Sequence, residues 1–393
     1  MSMSLAHRLL GAIAAACIFV GAGAQAADGS GNSPLERIVA DAIRPVMQEH
    51  HIPGMVVALT AQGRHHFFSY GVAAKGGGQK LSEHTIFEIG SISKTFTATL
   101  ASYAQASGAL SLADSASKHL PALAGSSFDQ VSLLDLGTYT AGGLPLQFPG
   151  GVTNPQTMMA YFKGWRPEHA AGTHRLYSNP SVGLFGDLAA RSLGEPFDEW
   201  MEKKLFPKLG LAHTYLRVPQ DQMGHYAWGH DKAGQPARVT PGVLDSQAYG
   251  VKTTAADMIR YVEAHMDGTG LDDTLRRALA ATRTGYYRVG GMTQGLGWEM
   301  YAYPTALEPL LAGNSAQMIY KANPVTRLAP PLPPSQDMLV NKTGSTNGFG
   351  AYVAFVPGRS IGVVMLANKN YPIADRVRAG HRILMALDSA RGP

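Results

Sequence analysis

Three short patterns follow one another along the chain: Ser91-Ile92-Ser93-Lys94, Tyr177-Ser178-Asn179 and Lys342-Thr343-Gly344. A serine attacks a carbonyl only if its proton has somewhere to go. Residues i and i+3 of a helix share one face, so Ser91 and Lys94 would point into the same space. A buried lysine crowded by other cations can lose its proton near neutral pH and act as a base. Tyr177 in isolation reads as a core tyrosine, but Arg175, Ser178, Asn179 and Pro180 around it have the composition of a loop facing a cleft. Among lysines its phenolate form is favoured, and it could take a proton from Ser91 or return one to a leaving amine. Asn179 can donate to a substrate carbonyl, and Gly344 permits close approach of a substrate to an edge strand. The amides of Ser91 and Ser345 could then form an oxyanion hole. The chemistry these residue types support together is acyl transfer through a covalent serine ester.

Two of the patterns recur and serve as internal controls. Ser115-Ala116-Ser117-Lys118 lies between Asp114 and His119 in a polar stretch and reads as an exposed loop. Lys252-Thr253-Thr254 lacks the glycine at the third place. Metal-assisted hydrolysis is the competing route. The chain has 14 histidines, yet His50-His51 and His65-His66 are adjacent pairs, unsuited to ligation from one helix face, and no His-Glu-x-x-His occurs. No metal and no cofactor is expected. Gly76-Gly77-Gly78 is not followed by Lys-Ser/Thr and reads as a hairpin turn, not a phosphate loop.

The elements that must hold these patterns can be read coarsely. Helical spacing of Leu35, Ile38, Val39, Ala42 and Val46 after a capping Ser33 predicts a helix over 34–49, with Pro45 kinking or shortening it. Stretches 55–60 and 64–71 read as a hairpin joined around Gln62-Gly63. Ser91 opens a second helix with Phe96, Leu100 and Tyr103 as its apolar stripe, ended by Gly108. Residues from about 111 to 224 mix helical patterns with loops and predict a helical lobe. The proline-rich stretch 323–335 reads as a surface loop. Strands at 338–340, 351–356 and 361–367 precede a last helix over about 374–387. Strands at both ends and helices between predict an α+β fold. Its α/β lobe has an antiparallel sheet flanked by helices, and a mainly helical lobe is inserted at about 111–224.

The chain has 393 residues, 45% hydrophobic and 16% charged, with a formal charge of +5. That charge forms no long basic run, so a nucleic-acid partner is not expected. His7 and Arg8, the apolar stretch 9–24 and Ala24-Gln25-Ala26 read as a signal peptide over 1–26, leaving a catalytic domain over 27–393. The only cysteine, Cys17, lies in that stretch, so the mature chain would carry no disulfide and no thiol nucleophile. A periplasmic protein free of the membrane after cleavage, acting as a monomer, is expected.

On these residues the chain resembles the class C serine β-lactamases, the AmpC-type cephalosporinases. The likeness rests on Phe87-Glu-Ile-Gly-Ser-Ile-Ser-Lys-Thr95, Thr138-Tyr-Thr-Ala-Gly-Gly-Leu-Pro-Leu-Gln147 and His174-Arg-Leu-Tyr-Ser-Asn-Pro180. It continues in Tyr249-Gly-Val-Lys252, Gln294-Gly-Leu-Gly-Trp-Glu299, Asn341-Lys-Thr-Gly-Ser345 and Leu366-Ala-Asn-Lys-Asn-Tyr-Pro372. The resemblance implies a β-lactam as small-molecule substrate, with Ser91 acylated, Lys94 and Tyr177 as its proton partners and Lys342 as a second cation. It implies that Gln147 and Asn179 hold the amide side chain of the lactam and that Tyr249 lines the side-chain pocket. Thr343, Asn370 and Arg376 would lie near the substrate carboxylate. Position alone reads Arg376 as a surface arginine, which makes it at most a screened, long-range cation. A D-Ala-D-Ala carboxypeptidase or esterase on the same scaffold is the alternative activity.

Overall fold

A computed structural model describes residues 33–61 and 63–390. The signal-peptide reading, Cys17 included, and Gln62 of the hairpin fall outside the described residues. Ten strands form one antiparallel sheet. In chain order they are β1 Gly54–Ala61, β2 Arg64–Ala74, β3 Gly77–Lys80, β4 Gly285–Val289, β5 Met292–Gln294, β6 Glu299–Ala302, β7 Thr326–Leu332, β8 Met338–Ser345, β9 Gly350–Val356 and β10 Ile361–Ala367. Across the sheet the order is β7-β4-β5-β6-β8-β9-β10-β1-β2-β3. Strands from the early and late parts of the chain therefore meet inside the sheet, with Met55 opposite Ala367 and Val57 opposite Met365.

Seven helices matter for the site: α1 Pro34–Glu49, α2 Ser93–Ala106, α3 Asn179–Ser192, α4 Asp245–Ala248, α5 Ala255–Met266, α6 Asp273–Thr282 and α7 Ile373–Ser389. Both faces of the central strands are covered, which is why β9 and β10 are unbroken apolar runs. Tyr352, Ala354 and Val356 pack with Val39 and Ile43 of α1 and Ile383 and Leu384 of α7. Ala351, Val353 and Phe355 face the other way, toward Phe96 of α2, Val262 of α5 and Leu275 of α6. Helix α2 serves two cores. Phe96 and Leu100 face the sheet, whereas Ala98, Ala101 and Ala104 face a separate helical core built on Leu133, Leu136, Leu184, Phe185 and Leu188. The N-terminus of α2 thus sits at the seam between the sheet and the helical lobe.

Three local expectations are corrected. Pro45 neither ends nor shortens α1, which runs on to Glu49. Proline cannot serve the Asp41 carbonyl one turn back; Arg382 Nη1 of α7 donates to it at 3.0 Å instead. Residues 323–335 are not wholly a loop, because β7 pairs with β4 at the edge of the sheet. Its register shifts between Arg327 and Leu332, the interval that holds Pro330 and Pro331. Prolines are tolerated at such an edge because their missing N–H groups interrupt no interior ladder. The second Ser-x-x-Lys is a short helix, Ala116–His119, not a loop.

Candidate active site

The chain enters α2 through a tight turn, Gly90–Ile92, and not by direct helix initiation at Ser91. Gly90 has φ +50°, and a Cβ there would lie 2.5 Å from the Ser345 nitrogen. A Cβ on Gly344 would lie 1.9 Å from the Ile89 carbonyl oxygen. Two facing glycines therefore let the end of β8 press on the turn that carries Ser91. Strand β6 pairs with β8 only from Met338 to Asn341. The β6-facing edge from Lys342 to Ser345 is left open toward the cleft, available for a substrate to lie along.

Lys94 is fully buried, and its Nζ donates to Ser91 Oγ at 3.0 Å and to the Ala248 carbonyl at 2.7 Å. Ala248 is the last residue of α4, and the next residue, Tyr249, lines the cleft. Ser93 Oγ accepts from the Val251 amide at 3.0 Å and ties down the chain just beyond. Ser178 caps α3 by accepting from the Ser181 amide at 3.0 Å, which places Tyr177 and Asn179 on either side of the cap. Asn179 Oδ1 is buried without a hydrogen-bond partner, so it remains for a substrate to use, whereas the Tyr177 hydroxyl interacts with Ser91, Lys94 and Lys342.

Tyr177 is flanked by two ammonium groups, with Lys342 Nζ 4.9 Å and Lys94 Nζ 5.1 Å from its ring centre. Burial pushes the phenol up, but Lys342 and then Lys94 outweigh it and bring it down to about 8. Burial lowers Lys94 to about 8, with Tyr177 opposing and Lys342 assisting. Lys342 goes the other way. Burial would lower it, yet Glu299 and Tyr177 hold it above the ordinary lysine range. One cation therefore stays charged, while Lys94 and Tyr177 titrate close together beside the serine and can pass a proton between them.

Ser91, Gln147, Tyr177, Asn179, Tyr249, Lys342, Thr343, Gly344 and Ser345 line one cleft of about 480 Å³. Asn370 and Arg376 do not line it. The expectation of an exposed, long-range cation at Arg376 is corrected: the side chain is 0% exposed. Its Nη1 donates to the Gly344 carbonyl at 2.6 Å and to Ser345 Oγ at 2.9 Å. Its Nη2 donates to Asn370 Oδ1 at 2.6 Å and to the Tyr371 carbonyl. Arg376 thus braces the back of β8. The control motifs are spent elsewhere. Lys118 pairs with Asp114, Ser115 with Ser117, and Lys252 Nζ donates to the Leu216 and Gly250 carbonyls.

Sequence reasoning passed over Arg175 and Glu299. Arg175 donates to Gln294 Oε1 at 2.6 Å, to the Met318 carbonyl at 2.9 Å and to Glu299 Oε1 at 3.1 Å. Glu299 also lies 3.6 Å from Lys342 Nζ. It is the anion that keeps Lys342 charged. The available signal was a carboxylate inside the apolar run from Leu296 to Met300, since a buried charge must be paired.

The family described as Beta-lactamase matches residues 39–388. The chain belongs to the β-lactamase family. A β-lactamase of Pseudomonas fluorescens is 57% identical over 354 residues, 90% of this chain and 99% of that one. The β-lactamase of Escherichia coli K12 is 42% identical, over 89% of this chain and 93% of that one. A solved class C β-lactamase shares 51% identity at a TM-score of 0.87, covering 90% of this chain and 98% of that chain. A structure from Pseudomonas syringae named β-lactamase/D-alanine carboxypeptidase shares 49% at 0.88, covering 90% and 99%. The α+β architecture of sheet and helical lobe is the β-lactamase fold. Among the described residues, no three His, Cys, Asp or Glu side chains cluster as metal ligands, and no helix is long and apolar enough to cross a membrane.

Proposed function

We propose that this class C family member hydrolyses the β-lactam ring of cephalosporins and penicillins through a seryl ester, and so confers resistance to them. The observation that carries the reading is Lys94 Nζ 3.0 Å from Ser91 Oγ, beside a phenol held near 8 and an open strand edge. Ser91 Oγ attacks the lactam carbonyl, and its proton passes to the Lys94–Tyr177 pair. The amides of Ser91 and Ser345 receive the oxyanion; a single such donor is worth ~2.7–4 kcal/mol. The same pair returns the proton to the lactam nitrogen as the C–N bond breaks, and water then cleaves the ester. Gln147 and Asn179 hold the side-chain amide, Tyr249 lines its pocket, and Thr343 beside Lys342 receives the carboxylate. Asn370 and Arg376 act from behind, through the strand.

Ser91→Ala should abolish turnover and the mass shift seen with a slow β-lactam, while Ser115→Ala should do neither. Acylation of Ser115 would sink the assignment. The polar head, apolar run and small-x-small site at Ala24-Gln25-Ala26 support export to the periplasm. Intact mass of the secreted protein should give Ala27 as first residue, and a lipid-modified Cys17 would contradict this. A D-alanine carboxypeptidase reading has support in the names of relatives from Pseudomonas syringae and Burkholderia cenocepacia. Labelled penicillin separates the two: a lactamase releases the label, whereas a peptidase keeps it.

A further inference from the structure

Glu88 is a buried carboxylate, 2% exposed, three residues before Ser91. Its oxygens are satisfied by three neutral donors from two distant stretches of chain, the hairpin between residues 226 and 239 and the turn after β8. Oε1 accepts from the Tyr226 hydroxyl at 2.5 Å and the Val239 amide at 2.7 Å, and Oε2 accepts from Thr346 Oγ1 at 2.5 Å. The Arg238 guanidinium is sandwiched 3.8 Å from the Tyr226 ring and 4.1 Å from the Trp228 ring. Arg238, Val239 and Thr346 all line the cleft, as does Tyr249 at the end of the same stretch as Val239. Glu88 itself is held in register opposite Lys252. One carboxylate therefore joins the approach to the nucleophile, one wall of the cleft and the turn after β8.

We propose that Glu88 is a positioning residue that fastens the wall receiving the substrate's acyl side chain, and thereby sets which side chains are accepted. The inference rests on the lactam-hydrolase reading. Hydrogen bonds to a carboxylate are short and directional, so three of them on one group fix the spacing of the segments they join. A merely structural role would lower stability and depress all substrates alike. A wall that slackens acts on the part of the substrate that touches it, and acts through binding.

The test compares cephalothin with 7-aminocephalosporanic acid, which share nucleus and leaving group but differ in the acyl side chain. Glu88→Ala should lower kcat/KM for cephalothin about ten-fold more than for the bare nucleus, mostly through KM. Glu88→Gln keeps a carbonyl for Tyr226 and Val239, and its amide can donate to the Thr346 hydroxyl, so it should restore most of the ratio. Should Glu88→Ala fail to fold, Tyr226→Phe removes one donor and should shift the ratio in the same direction by roughly three-fold. Equal losses on both substrates, a loss in kcat alone, or a lower melting point with an unchanged ratio each overturn the proposal. Wild-type protein inert toward both compounds overturns the hydrolase reading and this proposal with it. An active wild type with an unchanged ratio in the variants overturns the proposal alone.

Discussion

Replacing Arg376 with alanine tests whether this buried guanidinium braces the end of β8. Its four acceptors are the Gly344 and Tyr371 carbonyls, Ser345 Oγ and Asn370 Oδ1, and its charge lies 4.7 Å over the Tyr371 ring. Burial lowers it to about 10, with Tyr371 opposing, so it remains a cation across the working range. A hydrogen bond from a charged donor contributes ~1.5–3 kcal/mol, and bonds that share one group do not add fully. Truncation strips the donor from two buried carbonyls and opens a void, for a loss of about 3–5 kcal/mol. At roughly 2 °C per kcal/mol for a domain of this size, the melting point should fall by about 6–10 °C. Turnover should fall as well, because Gly344 and Ser345 lose the support that aims the strand at Ser91. The loss should appear in kcat and should not shrink at high salt, since the group is screened from solvent. Calorimetry paired with steady-state kinetics at two ionic strengths reads both effects. A melting point within about 2 °C of wild type, with a few-fold rise in KM that salt abolishes, would restore the exposed-cation view and refute the brace.

Lys342→Met removes the foremost charge that lowers Tyr177 and a charge that also lowers Lys94. Protonating that pair as pH falls through about 8 takes away the acceptor for the Ser91 proton, so kcat/KM should decline on the acid side. Without Lys342 both groups titrate higher and the acid limb moves up; a limb that stays or moves down contradicts the electrostatics. Gly344→Ala sets a Cβ 1.9 Å from the Ile89 carbonyl. It should therefore spread the Ser91 and Ser345 amides, the proposed oxyanion donors, and lower kcat by about 10²-fold or more, and near-wild-type turnover would show that the contact relaxes freely. Activity should survive EDTA, since no ligand cluster occurs among the described residues; loss restored by zinc would refute the serine route.

Much of the frame was legible because its signals are local. Ser33 and Pro34 mark the start of α1, and the unbroken apolar runs of β9 and β10 mark strands buried on both faces. The three motifs were legible as chemistry because each sets residue types at a fixed spacing. What stayed hidden depends on partners remote in sequence. Proline content made 326–332 look like a loop, because pairing with β4 at a sheet edge leaves no mark in the segment itself. Arg376 looked like a surface arginine because nothing near it in sequence shows that β8 would supply its acceptors. Arg175 and Glu299 escaped for the same reason, since Arg175 is explained by Gln294, Met318 and Glu299, and Glu299 by Arg175 and Lys342, each remote in sequence from the residue it explains.

The pairing of β1 with β10 also constrains how the molecule comes into being. The first strand made by the ribosome lies between β2 and β10, and β10 emerges almost last. Until it does, β1 has one partner instead of two, and the central sheet cannot close. Closure therefore waits for nearly the whole chain, and such long-range pairing is slow because its loop entropy must be overcome first. Until then the facing edges of β1 and β9 lack their common partner, and unpaired edges of that kind favour aggregation if they linger. Loss of even the last strand and helix would leave no smaller lactamase behind, only six strands on one side parted from β1, β2 and β3 on the other.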